Sequence, residues 1–274
     1  MFQNKKKIYI FTFLNNFNIK TKSHFLSFFK NEEKNNIDLT YLKFQKFISI
    51  LEQKEKNTIG LYLNETFDTE LFIKQLEMNN KSLFYIFPLY PQIHQNIKKI
   101  AAFFSKNIPP NYLDSFFWTK SYFNSPYFLK TYNNLIESYI RKNNISQKDL
   151  SILFLYEDNL STLYFFEVES TCINIIKKFP LVYWDLYRID ESLDFYSKIE
   201  LKRKNLIICH ISTLLSNTKE ENRLKTIKKE FLNKIESIHI LENIIDDENF
   251  SNEIFDIIDA RNFITNDMLY KYKN

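Results

Sequence analysis

Two kinds of hydrophobic pattern alternate along this chain. Short runs of consecutive apolar and aromatic residues give way to longer stretches in which apolar residues recur every three or four positions. The first pattern reads as a strand buried on both faces, the second as an amphipathic helix. Strands are predicted over residues 8–13, 58–63, 83–87 and 113–118, and then over 150–156, 181–187, 205–211 and 237–241. The clearest helix is 126–141. Ser125 stands at its N-cap and Pro126 at its first helical position, and Leu129, Tyr132, Leu135, Ile136, Tyr139 and Ile140 form an apolar stripe. Residues 95–104 repeat the pattern with Ile97, Ile100, Ala101 and Phe104.

Strand and helix in alternation predict right-handed crossovers and parallel sheets. The strands fall into two groups of four. The expected fold class is therefore α/β: two Rossmann-like lobes, each with a four-stranded parallel sheet flanked by helices. The Pro109-Pro110 pair is a natural break, giving an N-terminal lobe over 1–112 and a C-terminal lobe over 113–274. A ligand cleft is expected between the carboxyl ends of the two sets of strands. The charged stretch 31–36 reads as a solvated loop.

Composition changes this picture in one respect. The chain has 274 residues, 45% of them apolar and 17% aromatic, enough for a real core and unlike a disordered or fibrous protein. Yet it has a single glycine, Gly60. Heavy use of Lys, Asn, Ile and Phe fits drift toward AT-rich codons, so Asn is expected in turns where other proteins place Gly. One glycine also excludes GxGxxG and P-loop motifs. No HExxH, CxxC or GxSxG occurs either, which argues against a nicotinamide enzyme, a kinase and a zinc protease.

The formal net charge is +4, and the basic residues are scattered among acidic ones, so nucleic acid is not an expected partner. A small anionic ligand suits the excess. Cys172 and Cys209 are too few and too far apart for a CxxC pair and fit a reducing compartment; Cys172 falls on the apolar side of a helical pattern and reads as core. Lys5-Lys6-Lys7 before an apolar run imitates a signal peptide. Asn15-Asn16 interrupts that run and no small-residue cleavage site follows, so a first strand is expected instead. No apolar run approaches the ~20 residues that span a bilayer. The expected location is the cytoplasm, with contact to a membrane surface left open.

Residues 82–94, SLFYIFPLYPQIH, concentrate the functional signal. A buried strand ends at Pro88, and Tyr90, Pro91, Gln92 and His94 follow at its carboxyl end, where open α/β sheets bind ligands. A strand, a Pro-rich turn and a helix start account for the same residues. His94 then reads as a capping or surface histidine, with a place beside a metal as the alternative. Glu157 reads as a polar residue ending the 150–156 strand. Glu220, in TKEENR, reads as an exposed acid in the first turn of a helix, where the dipole favours it.

PLYPQ after a buried strand resembles the ferrochelatase family, and further segments extend the resemblance over nearly the whole chain. Tyr62 in TIGLYLNETFD matches the Tyr of a strand of the form M-R-Y-x-x-P, with Leu61 in place of Arg. Residues 122–140 are similar to a Y-x-x-x-P-x-[YF] helix start. Ile152-Leu153-Phe154 is similar to the strand before S-x-H-G-x-P, Tyr183-Trp184 to the Q-S strand, and Lys204 to Ile208 to K-N-L-L-L-V-P. The resemblance implies two lobes gripping a tetrapyrrole, and insertion of Fe²⁺ into protoporphyrin IX, the last step of haem biosynthesis. Iron is then a substrate and no cofactor is permanently bound. Glu157 takes the place of the family's catalytic histidine. Glu220 falls on the catalytic glutamate, while Leu224 and Lys228 replace the acids that usually follow it.

Metal insertion needs an acceptor for two pyrrole protons and ligands for the ion. Fe²⁺ accepts imidazole and carboxylate. Glu in place of His lowers intrinsic basicity by roughly 2 pK units. Burial, Asp158 and Glu220 are expected to raise the Glu157 pKa and restore part of that. The expected catalytic pair is Glu157 and Glu220, which also hold the metal; His94 and His210 are weaker metal candidates, and His210 is a surrogate base. Tyr62, Tyr90 and Trp184 are expected to line a flat macrocycle. The alternatives are a tetrapyrrole-binding protein that has lost catalysis, and an unrelated two-lobed α/β enzyme such as a glycosyltransferase.

Overall fold

A computed structural model describes residues 5–14, 39–63, 68–157, 161–216, 218–241 and 244–264. Asn15-Asn16, the 31–36 segment and Asp158 lie outside these residues. The chain divides into two compact units. One comprises 1–89, 95–120 and 258–274; the other comprises 90–94 and 121–257.

The first unit is built on a sheet of β1 (Lys7–Leu14), β2 (Thr58–Leu63), β3 (Leu83–Pro88), β4 (Phe116–Thr119) and β9 (Asn262–Ile264), in the order β2-β1-β3-β4-β9. The first four are parallel, as the apolar runs predict. The antiparallel β9 is an addition to the expected four. The run that imitates a signal peptide is β1, an interior strand of this sheet, with Ile10 and Phe11 fully buried. Helices α1 (Leu39–Lys54), α2 (Thr69–Met78) and α3 (Gln95–Asn107) accompany it. In α3, Ile97, Ile100, Ala101 and Phe104 are buried as the spacing predicts.

The strand expected at 113–118 begins later, at Phe116. Pro110–Ser115 is a 3₁₀ helix, opened by the Tyr112 N–H donating to the Pro109 carbonyl at 2.9 Å. β4 stays with the first sheet because Phe116 and Phe117 pair with Phe84 and Tyr85 of β3. Their rings stack at 4.7 and 4.9 Å. The units therefore divide the chain differently from a single cut at residue 112.

The second unit holds a wholly parallel sheet in the order β6-β5-β7-β8, from β5 (Leu150–Tyr156), β6 (Tyr183–Arg188), β7 (Asn205–His210) and β8 (Ser237–Ile240). Helices α4 (Pro126–Lys142), α5 (Thr162–Ile176), α6 (Leu193–Lys198), α7 (Thr218–Phe231) and α8 (Glu248–Arg261) alternate with these strands. α4 starts at Pro126 as predicted, but the Ser125 side chain makes no capping bond, and the buried face is Phe128, Thr131, Tyr132 and Ile136. That face is rotated from the expected stripe, with Leu129 and Leu135 only half-buried. Cys172 and Cys209 are buried free thiols. Among the described residues, no helix is long and apolar enough to cross a membrane.

Candidate metal centre

β5 and β7 are the central strands of the second sheet and run parallel, with Leu155 opposite His210. Glu157 follows β5 directly and His210 is the last residue of β7, so the topology brings both to the carboxyl end of the sheet. α7 opens close by and carries Glu220 in its first turn. Ligand atoms of Glu157, His210 and Glu220 all lie within 4.8 Å of one another. Donors bound to one first-row ion at about 2.1 Å are at most about 4.2 Å apart, so a small inward movement closes the set.

His94 braces the cluster from behind Glu157. Its Nε2 lies 2.8 Å from Glu157 Oε2, although 63 positions separate the two residues. A carboxylate has no hydrogen to give, so Nε2 carries the hydrogen and donates it. The surface reading of His94 is overturned, because its side chain is only 1% exposed. The Tyr90 ring stacks on the imidazole at 4.9 Å and 8°, and the Tyr164 ring meets it edge-on at 5.5 Å. Residues 90–94 belong to the second unit because they are bonded to it. The Tyr122 N–H donates to the Pro91 carbonyl, Gln92 Nε2 donates to Thr171 Oγ1, and the Ile93 N–H donates to Glu167 Oε2.

The electrostatics reverse one expectation. Burial alone would raise the Glu157 carboxyl. The hydrogen bond and charge of His94, a favourable electrostatic contribution from the nearby His210 ring and a hydrogen bond with Glu220 outweigh it and pull the pKa down to about 2. Glu157 is thus held as a carboxylate, with its pKa lowered and not raised as expected from its place in the sequence. His210 moves down from its ordinary value, chiefly because burial disfavours the imidazolium. Its Nδ1 is 3.2 Å from Ser216 Oγ, while Nε2 is closed off from solvent with no hydrogen-bond partner. In the tautomer whose Nδ1–H donates to Ser216, a neutral His210 offers its Nε2 lone pair to a metal or to a proton beside two carboxyl groups. One imidazole and two carboxyl groups suit ions such as Fe²⁺, Co²⁺ and Zn²⁺.

The aromatic candidates are distributed differently. Tyr90 is buried and supports His94. Trp184 pairs with Ile152 in the first half of β5, so along the strand it lies roughly 16 Å from Glu157, and the structure does not bring it to the cluster. Tyr62 belongs to the first unit, where its ring packs against Phe13, Tyr41 and Phe44. Leu224, one turn beyond Glu220, packs into the core of the second unit. Sequence reasoning missed Glu167, Tyr164 and Ser212, which hold the cluster in place. Glu167 left a signal: it falls on the stripe Tyr164, Val168, Thr171, Cys172 and Ile175, where an acid needs a partner.

Comparison with solved structures gives this architecture a context. CbiX, described as the terminal enzyme for sirohaem biosynthesis in denitrifying bacteria, matches over 93% of this chain and 99% of its own, with a TM-score of 0.57 at 9% identity. SirB from Bacillus subtilis, solved with Fe³⁺, matches over 93% of this chain and 95% of its own, with a TM-score of 0.60 at 7% identity. The fold is chelatase-like. DR2241 from Deinococcus radiodurans, a multi-domain protein described as structurally similar to chelatases, matches with a TM-score of 0.57 at 7% identity over 92% of this chain and 55% of its own. No protein-family model matches the sequence, and no curated protein is significantly similar to it.

Proposed function

We propose that this protein inserts a divalent metal ion into a tetrapyrrole, and that the pair is ferrous iron and protoporphyrin. The observation that carries this reading is the convergence of His94, Glu157, His210 and Glu220 at the carboxyl end of a parallel sheet in a chelatase-like fold. Iron is substrate here: one Fe²⁺ replaces two pyrrole protons. Ionised Glu157 draws the cation and Glu220 joins it as a ligand, while His94 holds the Glu157 carboxylate through its Nε2–H. Two carboxyl groups that share a hydrogen bond hold a proton between them, which cation binding displaces. His210, neutral and with Nε2 bare, accepts one pyrrole proton, and the Glu157–Glu220 pair takes the second as the ion leaves it for the ring.

A second reading, a tetrapyrrole-binding protein without catalysis, draws on one observation. Leu224 occupies a core position where the resemblance implies an acid one turn beyond Glu220.

The test is spectroscopic. Protoporphyrin is added to the purified protein, followed by anaerobic Fe²⁺ or Zn²⁺. Conversion to the metalloporphyrin spectrum, lost by about 100-fold or more in Glu157→Gln, supports insertion. A shifted porphyrin band that never converts supports the binding protein. No shift of the porphyrin band defeats both readings.

A further inference from the structure

We propose that Glu167 is a positioning residue that fixes His94 against Glu157; the metal arm of its test rests on the function proposed above. Glu167 lies on the buried stripe of α5 and is 5% exposed. A carboxylate among Tyr164, Val168, Cys172 and Ile175 is costly unless its oxygens are satisfied. A residue needed only for packing there would be apolar. Glu167 Oε2 instead accepts the backbone N–H of Ile93 at 2.6 Å, across 74 positions of sequence. Ile93 immediately precedes His94.

A second bond fixes the same loop. Thr171, one turn further along α5, donates its hydroxyl to the Glu167 carbonyl at 2.8 Å and accepts Gln92 Nε2 at 3.2 Å. The His94 N–H closes on the Gln92 carbonyl at 2.7 Å, which makes a tight turn of the three residues. Gln92, Ile93 and His94 are therefore each tied. A charge-assisted bond to a backbone N–H is shorter and stronger than a neutral one, which gives a carboxylate an advantage over an amide at this position. Removing it orphans the Ile93 N–H and frees the turn that aims the imidazole. Displacement by about 1 Å is enough to spoil a preorganised site.

The test uses the full chain and its Glu167→Leu, Glu167→Gln, His94→Ala and His94→Ala/Glu167→Leu variants. Co²⁺ affinity is measured by absorption, and the His94 imidazole signals are followed by NMR in metal-free protein. Glu167→Leu should weaken Co²⁺ binding 10–100-fold and shift the His94 signals, as loss of groups that orient a ligand does. Glu167→Gln should restore most of the affinity, because an amide oxygen still accepts. In the His94→Ala background, Glu167→Leu should add nothing. A folded Glu167→Leu protein with unchanged His94 signals overturns the proposal, and so does an equal loss of affinity with and without His94. If the wild type binds no Co²⁺, the metal-site reading fails and the metal-free NMR arm decides the role of Glu167. If Glu167→Leu does not fold, amide exchange at Ile93 in Glu167→Gln decides: faster exchange supports the proposal and unchanged exchange overturns it.

Discussion

Ser212 holds the backbone of Glu157: its Oγ accepts the Glu157 N–H at 2.8 Å. The same oxygen takes the Tyr164 hydroxyl at 2.7 Å, and both side chains are fully buried. One atom thus ties the residue after β5 to the helix whose tyrosine meets the His94 ring. Ser212→Ala leaves two donors unpaired away from water, at about 1–3 kcal/mol for each group orphaned. The urea midpoint should fall accordingly, and metal affinity should fall with it. An unchanged midpoint would mean that neither bond contributes.

Acid should destabilise the metal-free protein in two stages. The folded His210 ring resists protonation because its pKa is lowered from 6.5, while the unfolded ring accepts a proton at its ordinary value. Stability is therefore lost as pH falls below about 6.5. Glu157 ionises at about 2 in the folded state against 4.5 ordinarily, so its contribution is full above 4.5 and disappears as pH falls toward 2. Both effects have the same sign. Urea midpoints between pH 8 and 3 should decline throughout, His210→Gln should flatten the upper limb, and Glu157→Gln the lower. A stability maximum below pH 5 would contradict both.

The single glycine sits where a helix crosses a strand. A Cβ on Gly60 of β2 would lie 2.6 Å from Ile48 Cγ1 and 3.0 Å from Phe44 Cε1, both side chains of α1. Gly60→Ala should destabilise by about 1–3 kcal/mol through overpacking. Adding Ile48→Val to make room should recover part of the loss. Thermal melts of the two variants measure this.

Asn144 takes the place a glycine usually fills. It has φ 51° just beyond α4, where the Ile145 N–H reaches back to the Ile140 carbonyl and the Asn144 N–H to the Arg141 carbonyl. Asn144→Gly should stabilise by a few tenths to about 1 kcal/mol, read from the urea midpoint, because glycine adopts this conformation without strain.

The two sheets were legible in the sequence because a parallel strand is buried on both faces and leaves an uninterrupted apolar run. β2 and β5 begin and end where their runs do. The 3₁₀ segment before β4 was not legible, since Tyr112 and Leu113 carry the same apolar signal as a strand and only the preceding prolines hint otherwise. At the site, Glu157 and Glu220 were singled out by the family resemblance, and His210 by its place at the end of a strand. The burial of His94 and the lowered pKa of Glu157 were not, because each depends on the other across 63 positions. Ser212 left no local trace, since a serine after a strand is ordinary and its partners come from α5 and the end of β5.

The short strand β9 has a consequence for biogenesis. It covers the outer edge of β4 and comes from residues 262–264, so the ribosome makes β4 long before the strand that pairs with its edge. Until then β4 presents unpaired amides and carbonyls, a template for pairing between nascent chains. Deleting residues 262–264 is expected to make the chain clump during expression even though Glu157, His210 and Glu220 are all still present.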